Sequence, residues 1–170
     1  MKIAIMSDSH DHIWNFRKAL KLIEYMGIKH VIHLGDLISP FMLEELEPFD
    51  VTFHLIFGNN NGDQFLLFKR IAAMSDKVIF HGWLGELELS GKKIGFIHDP
   101  FLARKVAKSG DYDLVLFGHT HLWHIERVKK CTLINPGEIL GKKEPAGFGV
   151  LDCQTLKVER VLIDKEIKEK

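Results

Sequence analysis

The chain has no excess of charge of either sign: lysine plus arginine number 23, and aspartate plus glutamate also number 23. That argues against a strongly basic nucleic-acid footprint and leaves room only for a local patch. No apolar run approaches the length of a membrane span, so no membrane partner is expected. The segment from Met1 to Asp8 turns polar too early for a secretory signal. Only two cysteines are present, Cys131 and Cys153, and neither belongs to a C-x-x-C pair. They read as ordinary semi-buried thiols, and a reducing, cytoplasmic location is the expectation. Internal repeats, low-complexity tracts and linkers are also missing. Residues 1–170 therefore read as one domain, long enough to bury a real core and ending in a charged, frayed stretch over 165–170.

What the chain does contain is a recurrent pattern. Five short apolar runs each end in metal-ligand residue types. Ile3 to Met6 runs into Ser7-Asp8-Ser9-His10, and Val31 to Leu34 into Gly35-Asp36. Val51 to Phe57 leads into Gly58-Asn59, Ile94 to Ile97 into His98, and Leu114 to Phe117 into Gly118-His119-Thr120-His121. Runs of this length, rich in β-branched and aromatic residues and bounded by Gly, Asp and Asn, predict buried strands.

Between them, Trp14, Phe16, Ala19, Leu20, Ile23 and Met26 approximate a helical stripe, with Asp11 or His12 at the N-cap and Gly27 past the end. Ser39-Pro40 starts a second helix bearing Phe41, Leu43 and Leu46. A third covers Asp63 to Met74, with Phe65, Leu66, Phe68, Ile71 and Ala72 as its apolar residues. Such strand–helix alternation implies a parallel sheet with right-handed crossovers.

From about Lys77 the pattern turns to strands at Val78–Phe80, Leu84–Leu89 and Lys93–Ile97, then a helix over Pro100 to Ser109. Further strands follow at Trp123–Val128, Cys131–Ile134, Phe148–Asp152 and Val158–Ile163. Leu87 and Leu89 alternate with Glu86 and Glu88, the period of a half-exposed antiparallel strand. The fold class is α/β, with two packed sheets carrying helices on their outer faces.

Ligands in open α/β sheets bind at the carboxyl ends of the strands. Two Asp, one Asn and four His delivered to one rim have the makings of a two-metal site. Asp8 and His10 stand on alternate residues, so both can reach one ion. A carboxylate such as Asp36 can bridge two cations roughly 3.5–4 Å apart. Taken singly, each motif has an ordinary explanation: Gly-Asp is more often a turn than a ligand, and Gly58-Asn59-Asn60-Asn61-Gly62 reads as a loop. Their joint occurrence at successive strand ends makes coincidence the weaker account.

Asp-x-His, Gly-Asp, Gly-Asn-Asn, a lone His after a strand, Gly-His-x-His and then Asn135-Pro136-Gly137 resemble the motif set of the calcineurin-like metallophosphoesterases. The compact length and the Ser-Asp-Ser-His-Asp start are most similar to the small prokaryotic phosphodiesterases, a subfamily that includes a retromer subunit of the same fold. The resemblance spans Lys2 to about Ile163. It implies a four-layer α-β-β-α sandwich of two mixed sheets flanked by helices.

It also implies a dinuclear phosphodiesterase acting on a small phosphoester, with a metal-bridging hydroxide attacking phosphorus. One cation would lie among Asp8, His10, Asp36 and His121. A second would lie among Asp36, Asn59, His98 and His119, the expected catalytic positions. Imidazole-rich donors favour manganese, with iron, nickel or zinc as alternatives. The rival function is a protein-interaction scaffold like the retromer subunit, which loss of ligands would favour.

The chain departs from the family pattern in three places. Asn60 and Asn61 stand where relatives carry an acid or His, leaving Asp63 as the nearest carboxylate for the leaving group. Asp99-Pro100 follows His98, so Asp99 either caps the next helix or sets a negative charge beside the substrate. Glu138 replaces a frequent Ser. Arg70, Arg104 and Arg127 are candidate phosphate contacts, and Phe65-Leu66-Leu67-Phe68 is a candidate face for homo-oligomer formation. His12 is expected at a helix start and His33 as a satisfied buried imidazole, while His30, His54, His81 and His124 have no motif. Trp14, Phe65, Leu66 and Trp123 are expected in core or interface packing.

Overall fold

Alternation decides the layering. In the computed structural model, which describes residues 1–163, the first strand β1 (Lys2–Met6) sends Ile3 and Ile5 to one face and Ala4 and Met6 to the other, all four fully buried. A strand with two apolar faces must be covered on both sides. The expected frayed stretch over 165–170 lies outside the described residues.

The elements that follow are α1 (Ile13–Tyr25), β2 (His30–His33), a 3₁₀ helix (Pro40–Leu46), β3 (Thr52–Leu55), α2 (Gln64–Ala73), β4 (Val78–Phe80), β5 (Leu84–Leu89) and β6 (Lys92–Ile97). Then come α3 (Pro100–Ser109), β7 (Leu114–Leu116), β8 (Trp123–Val128), β9 (Cys131–Pro136), β10 (Gly147–Asp152) and β11 (Val158–Leu162). One sheet has the order β11-β10-β1-β2-β3-β4, and the other β5-β6-β7-β9-β8. β1 to β4 are mutually parallel, as are β6, β7 and β9, whereas β10, β11, β5 and β8 join antiparallel.

Three cores separate four layers. Ala4, Met6, Val31 and Phe53 pack under Phe16, Leu20 and Ile23 of α1 and Met42, Leu43 and Leu46 of the 3₁₀ helix. Ile3, Ile5 and Ile32 meet Ile94, Phe96, Leu114 and Leu116 between the sheets. Val115 and Leu133 pack against Ala103 and Ala107 of α3. This is the α-β-β-α sandwich of two mixed sheets, with parallel strands at its centre. Cys131 and Cys153 are free and buried in the cores. No helix among the described residues is long and apolar enough to cross a membrane.

Two helical expectations need correction. Ser39-Pro40 starts a 3₁₀ rather than an α-helix, buried through Pro40, Met42, Leu43 and Leu46 with Phe41 turned outward. In α2 the buried position is Leu67, joined in its core by Ile71 and Met74 at the i, i+4, i+7 spacing. Phe65, Leu66 and Phe68 are exposed. A single stripe suffices because α2 covers the sheet edge at β4 and the neighbouring 3₁₀ helix, not the sheet centre.

His54, from the inner face of β3, meets His81 with Nδ1 and Nε2 3.0 Å apart, and His30 stacks on it. One proton fits between two such nitrogens. Burial, with the neighbouring imidazoles of His81 and His30, pushes His54 down to about 4, and burial pushes His33 down to about 3. Below about pH 6.5 the unfolded chain therefore takes up protons that the folded one refuses, and stability falls with pH until these folded values are reached. Urea midpoints are expected to be lower at pH 5 than at pH 7, with a smaller difference in His54→Phe. Identical midpoints at the two pH values would contradict this.

Candidate metal centre

The parallel strands β1, β2, β3, β6 and β7 point their carboxyl ends the same way, and the residues just beyond them converge. The backbone there is unusual. Asp8, His10, Asp36, His119 and His121 all have positive φ, at 52°, 41°, 56°, 67° and 66°. Left-handed backbone costs a non-glycine residue of order 1–3 kcal/mol, and such strain clusters at functional sites. Two glycines make the crowding feasible. A Cβ on Gly58 would sit 2.0 Å from Asp36 Oδ1, and one on Gly118 would sit 2.1 Å from Ser7 Oγ.

The donor atoms form two groups. In one, Asp8 Oδ1 lies 3.4 Å from His121 Nε2 and 3.8 Å from His10 Nε2, and His10 Nε2 lies 3.3 Å from Asp36 Oδ2. In the other, Asn59 Oδ1 lies 2.7 Å from His119 Nδ1 and 3.0 Å from His98 Nε2, which is 3.5 Å from Asp36 Oδ1. Ligands held at about 2.0–2.2 Å from one cation stand roughly 3–3.5 Å from each other. Most of these spacings lie in that range, the 3.8 Å Asp8–His10 pair is slightly wider, and the 2.7 Å Asn59–His119 pair is a direct hydrogen bond. Asp36 turns one oxygen to each group. Asp8 Oδ1 is also central, 4.0 Å from His98 Nε2, but its second oxygen accepts the backbone N–H of His119 at 3.0 Å.

Two observations fit cations. Asp8 Oδ1 and His10 Nε2 are buried atoms with no hydrogen-bond partner among the described residues, aimed into the same space. A buried orphan of this kind costs free energy unless something fills it. The imidazoles are also set in metal-binding tautomers. His98 Nδ1 donates to Leu34 O at 2.7 Å and His121 Nδ1 to Glu138 Oε2 at 2.6 Å, which turns each Nε2 inward as an acceptor.

Electrostatics reinforce the arrangement. Burial alone would raise Asp8, but the imidazoles of His10, His98 and His121 and the hydroxyl of Ser7 outweigh it and hold its carboxyl below the ordinary range. Asp8, against burial, raises His10, with help from Asp36 and Glu138.

Several supporting residues were not assigned roles by the motifs. Asn60 donates both its backbone N–H and its amide to Asp36, at 2.8 and 2.7 Å, so it positions the shared carboxylate. Asn61 closes its own loop through Gly58. His33 accepts from Gly35 N and bonds Ser9 Oγ at 3.0 Å, a neutral brace under the first loop. Asn135 of the Asn-Pro-Gly motif donates to Gly118 O and Thr120 Oγ1, fixing the Gly-His-Thr-His loop.

Glu138 is fully buried. It accepts from His121 and from the backbone N–H groups of Lys143 and Glu144. Burial would raise its carboxyl, but these partners outweigh it and hold it below the usual range. One signal was available: a carboxylate directly before the apolar pair Ile139-Leu140.

Other expectations change. Arg70 pairs with Glu44, Arg104 forks onto Glu126, and Arg127 bonds Lys129 O and Thr132, so the three candidate phosphate contacts are engaged elsewhere. Asp63 caps α2 through Leu66 N and does not face a leaving group with that oxygen. Asp99 takes the helix-cap role of the two alternatives and also borders a cavity. It caps α3 through Leu102 N, and it lines a cavity of about 350 Å³ beside Asn59, His98 and His119. His12 caps α1 by accepting from Asn15 N. Trp14 and Phe65 are exposed, while Trp123 carries the Arg160 guanidinium over its ring.

Residues 1–156 match the family model described as the calcineurin-like phosphoesterase superfamily domain. The chain is 33% identical over 168 residues to phosphodiesterase MJ0936 of Methanocaldococcus jannaschii, covering 96% of this chain and 100% of that protein. The structure of an archaeal phosphodiesterase superposes with a TM-score of 0.87 at 32% identity, over 95% of this chain and 99% of that one. The fold is shared with zinc-complexed Vps29 of Entamoeba histolytica, at a TM-score of 0.65 and 18% identity over 96% of this chain and 100% of the other.

Proposed function

Since the chain belongs to the calcineurin-like phosphoesterase superfamily, we propose that it is a phosphodiesterase dependent on two divalent cations. Supporting this reading above all is the convergence of seven donor side chains at one rim, two of whose atoms, Asp8 Oδ1 and His10 Nε2, are buried without a hydrogen-bond partner among the described residues. Asp8, His10, Asp36 and His121 would hold one cation, and Asp36, Asn59, His98 and His119 the other. Two cations there, for which manganese suits the mixed imidazole and carboxylate donors, supply a nucleophilic water near neutral pH and neutralise charge on the phosphoryl oxygens.

The chain's own residues set the rest. Leu34 O and Glu138 orient His98 and His121, and Asn60 steadies Asp36. Asp63 is committed to its helix cap, so the best-served ester has a leaving oxygen that is stable without a proton. The exposed Asp99 carboxylate beside the site opposes a dianionic monoester more than a monoanionic diester. The engaged arginines supply no clamp for the extra charge. A scaffold function like that of the retromer subunit draws less support, because every ligand position is filled and Vps29 matches at only 18% identity.

The test is hydrolysis by metal-stripped protein reloaded with manganese. Bis(p-nitrophenyl) phosphate is expected to be cleaved with kcat/KM at least about tenfold above that of p-nitrophenyl phosphate. A monoester preference overturns the diester assignment, and no turnover of either ester overturns the enzyme.

A further inference from the structure

The cavity beside Asn59, His98 and His119 is built for something other than phosphate. Phe57, Trp83, Ile97 and Leu102 form its apolar walls, and Asp99 is the charged side chain among its lining residues. No lysine or arginine is among them, so away from Asn59, His98 and His119 an anionic group meets no cationic side chain and faces the Asp99 carboxylate instead. Phe57 is buried and fixed by edge contacts with Phe68 and Phe80, and Trp83 leans on it with ring centroids 5.0 Å apart. Trp83 itself is 59% exposed, leaving much of its ring free to take a partner. About 350 Å³ lies at the small end of ligand pockets, room for one ring system rather than a large ligand.

The geometry points to this cavity as the subsite for a planar, uncharged aromatic substituent of the phosphodiester, a nucleobase or an aryl group, with Trp83 as its stacking wall. This rests on the phosphodiesterase reading and names the substrate class for it. Continuity with the site places the phosphate against Asn59, His98 and His119 and the esterified group against the apolar walls. Aromatic stacking tightens binding by about 5- to 150-fold per ring, and it tolerates many ring types because every base has a π-face.

The experiment is calorimetric binding of diphenyl phosphate and dimethyl phosphate to the manganese-loaded protein, with turnover of methyl p-nitrophenyl phosphate measured in parallel. Diphenyl phosphate is expected to bind at least about tenfold tighter than dimethyl phosphate, an advantage that Trp83→Ala removes and Trp83→Phe largely retains. Trp83 is exposed enough for both variants to fold. Equal binding of the two diesters by the wild type, or an advantage unchanged in Trp83→Ala, overturns the subsite. If turnover persists in that case, the phosphodiesterase reading stands without it. An aromatic advantage with no turnover supports the subsite and overturns the phosphodiesterase reading alone.

Discussion

Asp36→Ala is expected to lower diester hydrolysis by about a thousandfold or more and to abolish stabilisation by manganese. The carboxylate is 2% exposed and reaches both donor groups, with Oδ2 3.3 Å from His10 Nε2 and Oδ1 3.5 Å from His98 Nε2. Asp8 reaches both groups with Oδ1 alone, since its second oxygen accepts the His119 backbone N–H, so only Asp36 offers a separate oxygen to each. The fold should survive. Asp8, buried at the same rim, keeps its own partners His10, His98 and His121 when Asp36 is removed. The Asn60 donors it leaves behind are on an exposed residue, where water can satisfy them. The signature is therefore a metal-free melting temperature close to wild type. Manganese at 100 times its dissociation constant stabilises the wild type by about 2.7 kcal/mol per site and the variant by far less. Full activity in the variant, or an undiminished manganese shift, contradicts the shared role.

Glu138→Gln is expected to weaken metal affinity by about 10–100-fold while changing stability little. The carboxylate does two jobs with two oxygens. Oε1 accepts the backbone N–H groups of Lys143 and Glu144, and Oε2 accepts Nδ1–H of His121. Glutamine keeps an oxygen for the backbone pair, so its amide nitrogen must face His121. That nitrogen donates, Nδ1 must accept, and the ring proton moves to Nε2, the atom 3.4 Å from Asp8 Oδ1. The inward nitrogen is then a donor and no longer a ligand. Glu138→Ala instead removes the acceptor shared by the Lys143 and Glu144 N–H groups and by His121 Nδ1–H, and should cost about 1–3 kcal/mol of stability as well. The measurements are metal affinity by calorimetry and the ¹⁵N shifts of His121, which report the tautomer directly. An unchanged tautomer with unchanged affinity would reduce Glu138 to a structural brace.

The sequence made the rim legible because the parallel strands are short, largely apolar runs that break into Gly, Asp, Asn or His at one end. Short-range patterns sufficed for α1 and α3, whose caps His12 and Asp99 lie next to their helices. The unread features depend on contacts across the fold. Glu138 is 17 residues from His121, and Asn60 is 24 from Asp36. Trp83 shares a wall with Leu102 only because β4 and α3 flank the same opening. In α2 the Leu67-Ile71-Met74 stripe competes with a louder cluster of phenylalanines, and only the edge position of the helix leaves Phe65 and Phe68 outward. The arginines illustrate the converse: residue type named them as phosphate contacts, while surface carboxylates such as Glu44 and Glu126 claimed them.

The most direct test of two cations sharing Asp36 is anomalous diffraction from a crystal of the manganese-loaded protein. Two peaks are expected, one among Asp8, His10 and His121 and one among Asn59, His98 and His119, roughly 3.5–4 Å apart with the Asp36 carboxylate between them. A single peak, or two that Asp36 does not bridge, would contradict it.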